Sequence, residues 1–335
     1  MVENKSNTKI PLILGTMTFA APDAPGSRIS DREVVKRLID CFKSYDGGGT
    51  TEQLLGELNL SEVSLDSKCY PVNPGDHSPE RLRDSLDESL KALKVKKIRV
   101  FYLHAPDRSV PFETTLEECL SNFAAWEVAR VWEICNRNDY VRPTVYQAMY
   151  NAITRSIQDE LIPCCRALNI RVVVYNPLAG GFFAGKINKL ETEVERGSRF
   201  DPDQRLGRMY RDRYLKQSYF EALDLMNSVL KTHGDLNLLE VGARWLQHHS
   251  VLDSKDGIIF GASSLDQIEM NCKNSEGGPL PEDVIEALER SWKLVKAELS
   301  FPEILEKFIY LLFLMLFLFD KLLSVVRLTG DKSIV

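Results

Sequence analysis

The chain has 335 residues, 44% of them hydrophobic and 27% charged, the balance of a globular protein long enough for one large domain or two ordinary ones. Its net charge of −6, with no basic stripe, excludes a nucleic-acid surface. Seven cysteines at 41, 69, 119, 135, 164, 165 and 272 show no metal spacing, and the odd count points to a reducing compartment. The five histidines form no ligand-spaced motif, so no metal site is expected. Met1 to Lys9 is polar with no apolar core of a secretory signal, and the expected location is cytoplasmic.

In chain order, Ile10 to Leu14 reads as a strand that exits through Gly15-Thr16-Met17. Ser30-Asp31-Arg32-Glu33 reads as a helix start, and Val34, Val35, Leu38, Ile39 and Phe42 keep a helical period to about Tyr45. Asp46 to Gly49 breaks it, and Glu52 to Leu58 is a second helix. Ser64 to Cys69 is a strand. Ser78-Pro79-Glu80 then opens a helix to about Leu93, with Ser as cap and Pro at the first helical position. Ile98 to Leu103 is a strand ending at His104. Phe112 to Asn138 reads as mostly helical, broken near Ser121-Asn122. Thr144 to Gln147 is a strand, Ile157 to Leu168 a helix, and Arg171 to Tyr175 a buried strand.

That strand runs into Asn176-Pro177-Leu178-Ala179-Gly180-Gly181 and on to Lys186, a Gly-rich turn tipped with a cation. Such a turn brings backbone N–H groups close to a ligand's phosphates, although an ordinary strand-to-helix turn has the same spacing. Glu191 to Leu215 is a polar insertion rich in Arg and Tyr; Phe220 to Lys231 and Leu238 to His248 are helices. Gly257 to Phe260 is a strand leading into Gly261-Ala262-Ser263-Ser264 and a helix from Leu265, and Pro281 to Lys296 is a closing amphipathic helix.

Strand and helix alternate, which predicts a parallel sheet with helices outside it. Lys68, His104, Gln147, Asn176 and Ser263 recur at strand C-termini, the face on which a βα-barrel builds its active site. Only six strands are counted, where such a barrel has eight.

The blocks Leu14 to Met17, Gly47 to Glu52 with Leu55-Gly56, Phe101 to Asp107, Ser121-Asn122 with Ala125 to Glu127, Tyr146 to Asn151, Tyr175 to Lys186, Tyr210 to Tyr214, and Gly261 to Ser264 with Gln267 and Asn271 occur in an order that resembles the aldo-keto reductases. The likeness is greatest to the aflatoxin aldehyde reductase subgroup and covers roughly residues 10 to 298, which sets the expected domain at 1–298 with an extension at 299–335. The resemblance implies an α/β fold derived from the TIM (β/α)8 barrel, NADPH as cofactor, and hydride transfer to a small aldehyde or ketone. The family's catalytic side chains are an Asp, a Tyr, a Lys and a His; of these the resemblance carries over Lys68 and His104. A Tyr acting as proton donor near pH 7 calls for a neighbouring ammonium and imidazole. The segment that should carry the Asp and Tyr is missing before Gly47, which leaves Tyr45 as a surrogate proton donor and Asp46 as no stronger a candidate. A second gap follows Glu117, so strands two and five are expected to be absent and the barrel incomplete.

By the same resemblance the cofactor is held by Ser121, Asn122, Gln147, Asn176, Pro177, Leu178, Gly180, Gly181, Lys186, Arg199, Gly261, Ser263, Ser264, Gln267 and Asn271. Ser263 and Ser264 open a helix whose N-terminus suits a phosphate. Tyr210 and Arg213 match substrate-pocket positions. A non-catalytic relative that binds a nucleotide or a partner is the alternative. Phe308 to Phe319 is an unbroken apolar run of twelve, short of the about 20 residues that span a membrane. It reads as a tail anchor, an apolar helix covering an open barrel, or sequence outside the true coding frame; membrane contact is not favoured among these. The oligomeric state is not legible.

Overall fold

The structure, a computed structural model, describes residues 8–17, 19, 28–31, 33–36, 44–46, 52–53, 55–58, 64–113, 119–190 and 192–297, with the backbone alone at 44–46 and 119. Eight parallel strands close into a barrel: β1 (Leu12–Gly15), β2 (Ser44–Asp46), β3 (Ser64–Cys69), β4 (Val100–Leu103), β5 (Cys119–Ser121), β6 (Val145–Met149), β7 (Arg171–Tyr175) and β8 (Gly257–Gly261). The α/β barrel expectation holds, and the missing strands do not: both are present as three-residue staves.

β2 pairs on both sides, Leu14 with Tyr45 and Tyr45 with Leu65, and so does β5, Leu103 with Leu120 and Leu120 with Tyr146. The physical reason is the backbone. Without these staves β1, β3, β4 and β6 would each carry an edge of unpaired N–H and C=O groups. Those edges recruit the nearest extended residues, so Tyr45 ends in a strand and not in the helix its periodicity suggested. The described part of that helix is 33–36, where Val35 N–H donates to the Asp31 carbonyl at 2.9 Å. In the same way Ser121 is delivered by a strand after all.

The helices around the barrel are α1 (Pro79–Leu93), α2 (Ala125–Arg137), α3 (Leu161–Ala167), α4 (Arg205–Tyr214), α5 (Gln217–Leu230), α6 (Leu238–His248), α7 (Leu265–Ser275) and α8 (282–297). The Ser78-Pro79 start is as the sequence implies: Ser78 Oγ accepts from Arg81 N–H, and Lys94 closes α1 in the left-handed conformation at φ 55°. Asn237 caps α6 by accepting from Leu239 and Glu240 N–H, each at 3.1 Å. The polar insertion, which reads as a loop with short helices, carries the ten-residue α4 in its second half.

Side-chain alternation along the strands splits the core in two. Ile13, Val100, Tyr102, Val145, Val173 and Ile259 fill the barrel interior, with Tyr175 against them. Leu14, Leu65, Leu103, Leu120, Tyr146, Val174 and Phe260 face the helices in the larger outer core. α8 docks through Arg155, whose guanidinium lies 4.3 Å from the Trp245 ring centroid and pairs with Glu289. The 299–335 extension and its apolar run lie outside the described residues. Among the described residues no helix is long and apolar enough to cross a membrane.

Candidate active site

Strand parity decides which polar residues reach the barrel mouth. Asp66 and Lys68 alternate with the buried Leu65 and Ser67, and register opposite Val100 and Tyr102 of the interior. His104 stands one residue beyond β4, and its N–H donates to the Cys69 carbonyl at 2.9 Å, which locks the end of β4 to the end of β3. Ser121 and Gln147 are register partners across β5 and β6, both buried. Lys68, His104, Ser121 and Gln147 therefore share the C-terminal, interior rim. Tyr45 does not share that parity. It registers with Leu14 and Leu65, both in the helix-facing core, while Asp46 registers with Gly15 and Asp66 on the interior side.

Asn122 follows β5 in the left-handed conformation, φ 59°. Its Nδ2 donates to the His104 carbonyl at 2.7 Å and to Ser121 Oγ at 3.1 Å, and its Oδ1 accepts from the Tyr175 hydroxyl at 2.9 Å. Burial raises the Tyr175 phenol; the Arg213 charge opposes this and Tyr210 adds to it. Asn176, at φ 63°, donates from Nδ2 to the Tyr214 hydroxyl at 2.5 Å. Asn151 Nδ2 donates to the Asn176 carbonyl at 3.0 Å. The turn after β7 is thus pinned from below by β6 and α4.

Above that turn, Ala179–Ala184 is a 3-10 segment with Gly180 and Gly181 at positive φ, 67° and 98°. A Cβ on Gly180 would meet Tyr210 Cε1 at 2.2 Å; one on Gly181 would meet nothing within 4 Å. Tyr210 is buried, stacked on Tyr214 at 6.1 Å between centroids. Its hydroxyl accepts from an Arg199 guanidinium N–H at 3.2 Å, and the Arg213 guanidinium lies 5.8 Å from its ring centroid. Arg199 also reaches β8: a Cβ on Gly261 would lie 3.6 Å from its Nη2. At the start of α7, Ser264 Oγ accepts from Gln267 N–H at 3.3 Å, and Gln267 Oε1 accepts from Ser263 N–H and Oγ–H at 2.9 and 3.0 Å. Asn271 is buried one turn on; ahead of the glycines Pro177 is buried and Leu178 half-buried, and Lys186 is exposed beyond them.

These residues fit a nicotinamide dinucleotide. Ser121, Asn122 and Gln147 offer amide- and hydroxyl-reading groups beside an aromatic ring, Tyr175. Gly181 leaves open space for close approach of a ligand to backbone. Arg199 and the capped α7 N-terminus gather positive potential at the far end, tempered by Asp266 in the first turn. Among the described residues no three metal-ligating side chains converge.

Sequence reasoning missed the supports. Tyr175, Asn151 and Tyr214 stood inside the quoted blocks but were not singled out. Nor were Arg108 and Glu127: the buried Glu127 carboxylate accepts from Arg108 Nε and Nη2, at 2.9 and 3.2 Å, and from Ala124 N–H at 2.7 Å. Buried acids and tyrosines in the quoted blocks were the available signal.

The aldo/keto reductase family model matches residues 11–293. An aldo-keto reductase of Pseudocercospora fijiensis is 37% identical over 279 residues, covering 77% of this chain and 93% of its own length. The mouse aflatoxin B1 aldehyde reductase member 2 is 37% identical over 323 residues, covering 85% of each chain. The human aldo-keto reductase family 7 member A3 is 36% identical over 334 residues, covering 89% of this chain and 98% of its own length. The latter two alignments run over more positions than the share of this chain they take in, so those relatives have positions with no counterpart here. The chain belongs to the aldo/keto reductase family of oxidoreductases.

Proposed function

We propose that this chain is an NADPH-dependent carbonyl reductase that acts on small aldehydes or ketones in the cytoplasm. The observation that carries the reading is the meeting of Lys68, His104, Ser121, Asn122, Gln147 and Tyr175 at one rim of a closed barrel. The reduced nicotinamide, when bound, supplies a hydride. The chain's own groups do the rest. Ser121, Asn122 and Gln147 orient the carboxamide, and Tyr175 offers a face for the ring. The Gly180-Gly181 turn, Lys186, Arg199 and the Ser263-Ser264-Gln267 cap take the phosphates. Lys68 and His104 supply an ammonium and an imidazole where charge develops on the carbonyl oxygen. Tyr210 and Arg213 border the substrate side.

A second reading, a nucleotide-binding relative without turnover, is favoured by one observation. Tyr45 registers with Leu14 and Leu65, two residues of the helix-facing core, and not with Lys68. One experiment separates the two. NADPH binding is followed by fluorescence quenching on the full chain, and reduction of a series of aldehydes by NADPH absorbance. Saturable binding with turnover supports the reductase; saturable binding without turnover supports the second reading; no binding overturns both.

A further inference from the structure

The last ladder pair between β3 and β4 is Cys69 with Leu103. Tyr70 and His104 are the next residues on each strand, and the His104 N–H to Cys69 carbonyl bond carries the ladder one step further. Their side chains meet as register neighbours do: the rings sit edge-on, centroids 5.2 Å apart and planes at 79°. Alternation along β3 gives Tyr70 the parity of Asp66 and Lys68, the parity of the interior. It also stands just beyond the C-terminal end of β3, 52% exposed and open to bulk water. Among the described residues, it is the tyrosine whose ring the structure sets against His104.

We propose that Tyr70 is the proton donor of this site. The proposal rests on the reductase reading above. As the carbonyl carbon is reduced by the nicotinamide's hydride, the C=O π pair moves onto oxygen. The Tyr70 O–H bond then breaks as the alcohol O–H forms. The phenolate regains its proton from water on its exposed side. The His104 imidazole beside the ring and the Lys68 ammonium two residues back stabilise the phenolate while it lasts.

The test compares wild type, Y70F, Y45F and, as a control at an exposed tyrosine remote in sequence from both, Y140F. The probe is 4-nitrobenzaldehyde with NADPH. Loss of the general acid lowers kcat by about 100-fold or more at unchanged NADPH affinity. In Y70F the residual turnover also loses the solvent isotope effect that wild type shows, and Y140F matches wild type. A readout free of turnover accompanies it in a further variant, Y70A: the His104 ring-proton NMR signals shift because the edge contact is gone, whereas Y70F keeps the ring and separates loss of the hydroxyl from loss of the contact. The proposal is overturned if Y70F turns over within about threefold of wild type, if the loss falls on Y45F instead, or if the His104 signals stay in place in Y70A. A wild type that is active beside an equally active Y70F overturns this inference alone. A wild type that binds NADPH and reduces no aldehyde overturns it together with the reductase reading.

Discussion

Tyr175 donates its hydroxyl hydrogen to Asn122 Oδ1 across 2.9 Å, and so joins the end of β7 to the first residue beyond β5. Asn122 is also the link to His104, through the 2.7 Å bond from its Nδ2 to the His104 carbonyl. It does this at φ 59°, a conformation that Asn tolerates and Ala does not. N122A should lose the side-chain bonds and keep the strained backbone, at a cost of about 1–3 kcal/mol. N122G loses the bonds alone and should cost about 1 kcal/mol less than N122A. Urea midpoints of the two variants measure the difference. Equal midpoints would mean that the backbone relaxes when the side chain is removed. Both variants should bind NADPH about tenfold more weakly than wild type, since each frees Ser121 and His104 from their common partner.

Gly180 and Gly181 are neighbours at positive φ with opposite surroundings. G180A pays the left-handed penalty of about 1–2 kcal/mol and also drives a methyl to 2.2 Å from Tyr210 Cε1. Tyr210 is buried on Tyr214 and Phe200, so it cannot swing clear without moving Arg199 and Arg213. G181A pays the backbone penalty alone. Thermal denaturation should show G180A well below G181A, and G180A should weaken any anionic ligand that Arg199 holds. A G180A protein as stable as G181A would place Tyr210 on a softer footing than its burial implies.

Arg108 and Glu127 tie the loop after β4 to the first turn of α2, immediately beyond the three-residue β5. The Glu127 carboxylate is fully buried, whereas the Arg108 side chain is 66% exposed. Removing the arginine leaves an acid that still caps Ala124 N–H but has lost its charged partner. R108A should cost about 1–3 kcal/mol, the range for a buried group stripped of a partner, and R108K should recover part of it. The double variant R108A/E127Q should be less destabilised than the two single changes predict together, because no unpaired charge remains. Chemical denaturation of the four proteins gives the coupling. Strict additivity would show that the pair does not hold the short stave.

Much of the barrel was legible because its longer strands carry β-branched or aromatic residues and a motif at the end, as in Arg171–Tyr175 and Val145–Met149. β2 and β5 were not. Three residues are too few to display a period of two, and Tyr45 completes the helical spacing of Val34, Leu38 and Phe42. What makes Ser44–Asp46 a strand is the pair of edges on β1 and β3, which are remote in sequence. The rim followed the same rule. Ser121, Gln147 and His104 could be read from their blocks. The bonds from Tyr175 to Asn122 and from Asn176 to Tyr214, 53 and 38 residues apart, could not. Nor could the edge contact of Tyr70 with His104, since it depends on β3 and β4 ending in register.

Asp107 and His77 give the protein an acid limb in two parts. Burial by itself raises the Asp107 carboxyl. The bonds it accepts from Ser109 Oγ–H at 2.6 Å, Ser109 N–H at 3.0 Å, His77 N–H at 3.3 Å and Gly75 N–H at 2.9 Å outweigh that, and together hold it below its ordinary 3.8. A carboxyl lowered in the folded state stabilises fully above its unfolded value, and that stabilisation is lost as pH falls through the folded value. His77 is buried with Nε2 unpartnered, and burial lowers it below 6.5 against the pull of the Asp107 carboxylate, the Cys69 carbonyl and the Asp76 carboxylate. Below about pH 6.5 the unfolded chain therefore takes up a proton that the folded chain refuses, and stability falls until the folded histidine titrates. Urea midpoints between about pH 3 and 8 should first decline below about 6.5 and decline again below about 3.8. H77L should lose the first step and keep the second. D107N should cost about 1–3 kcal/mol at neutral pH, because one amide oxygen replaces two carboxylate acceptors, and it should flatten the second step. If H77L keeps the decline below pH 6.5, another histidine carries it, and His249, which burial also lowers, is the one to change next.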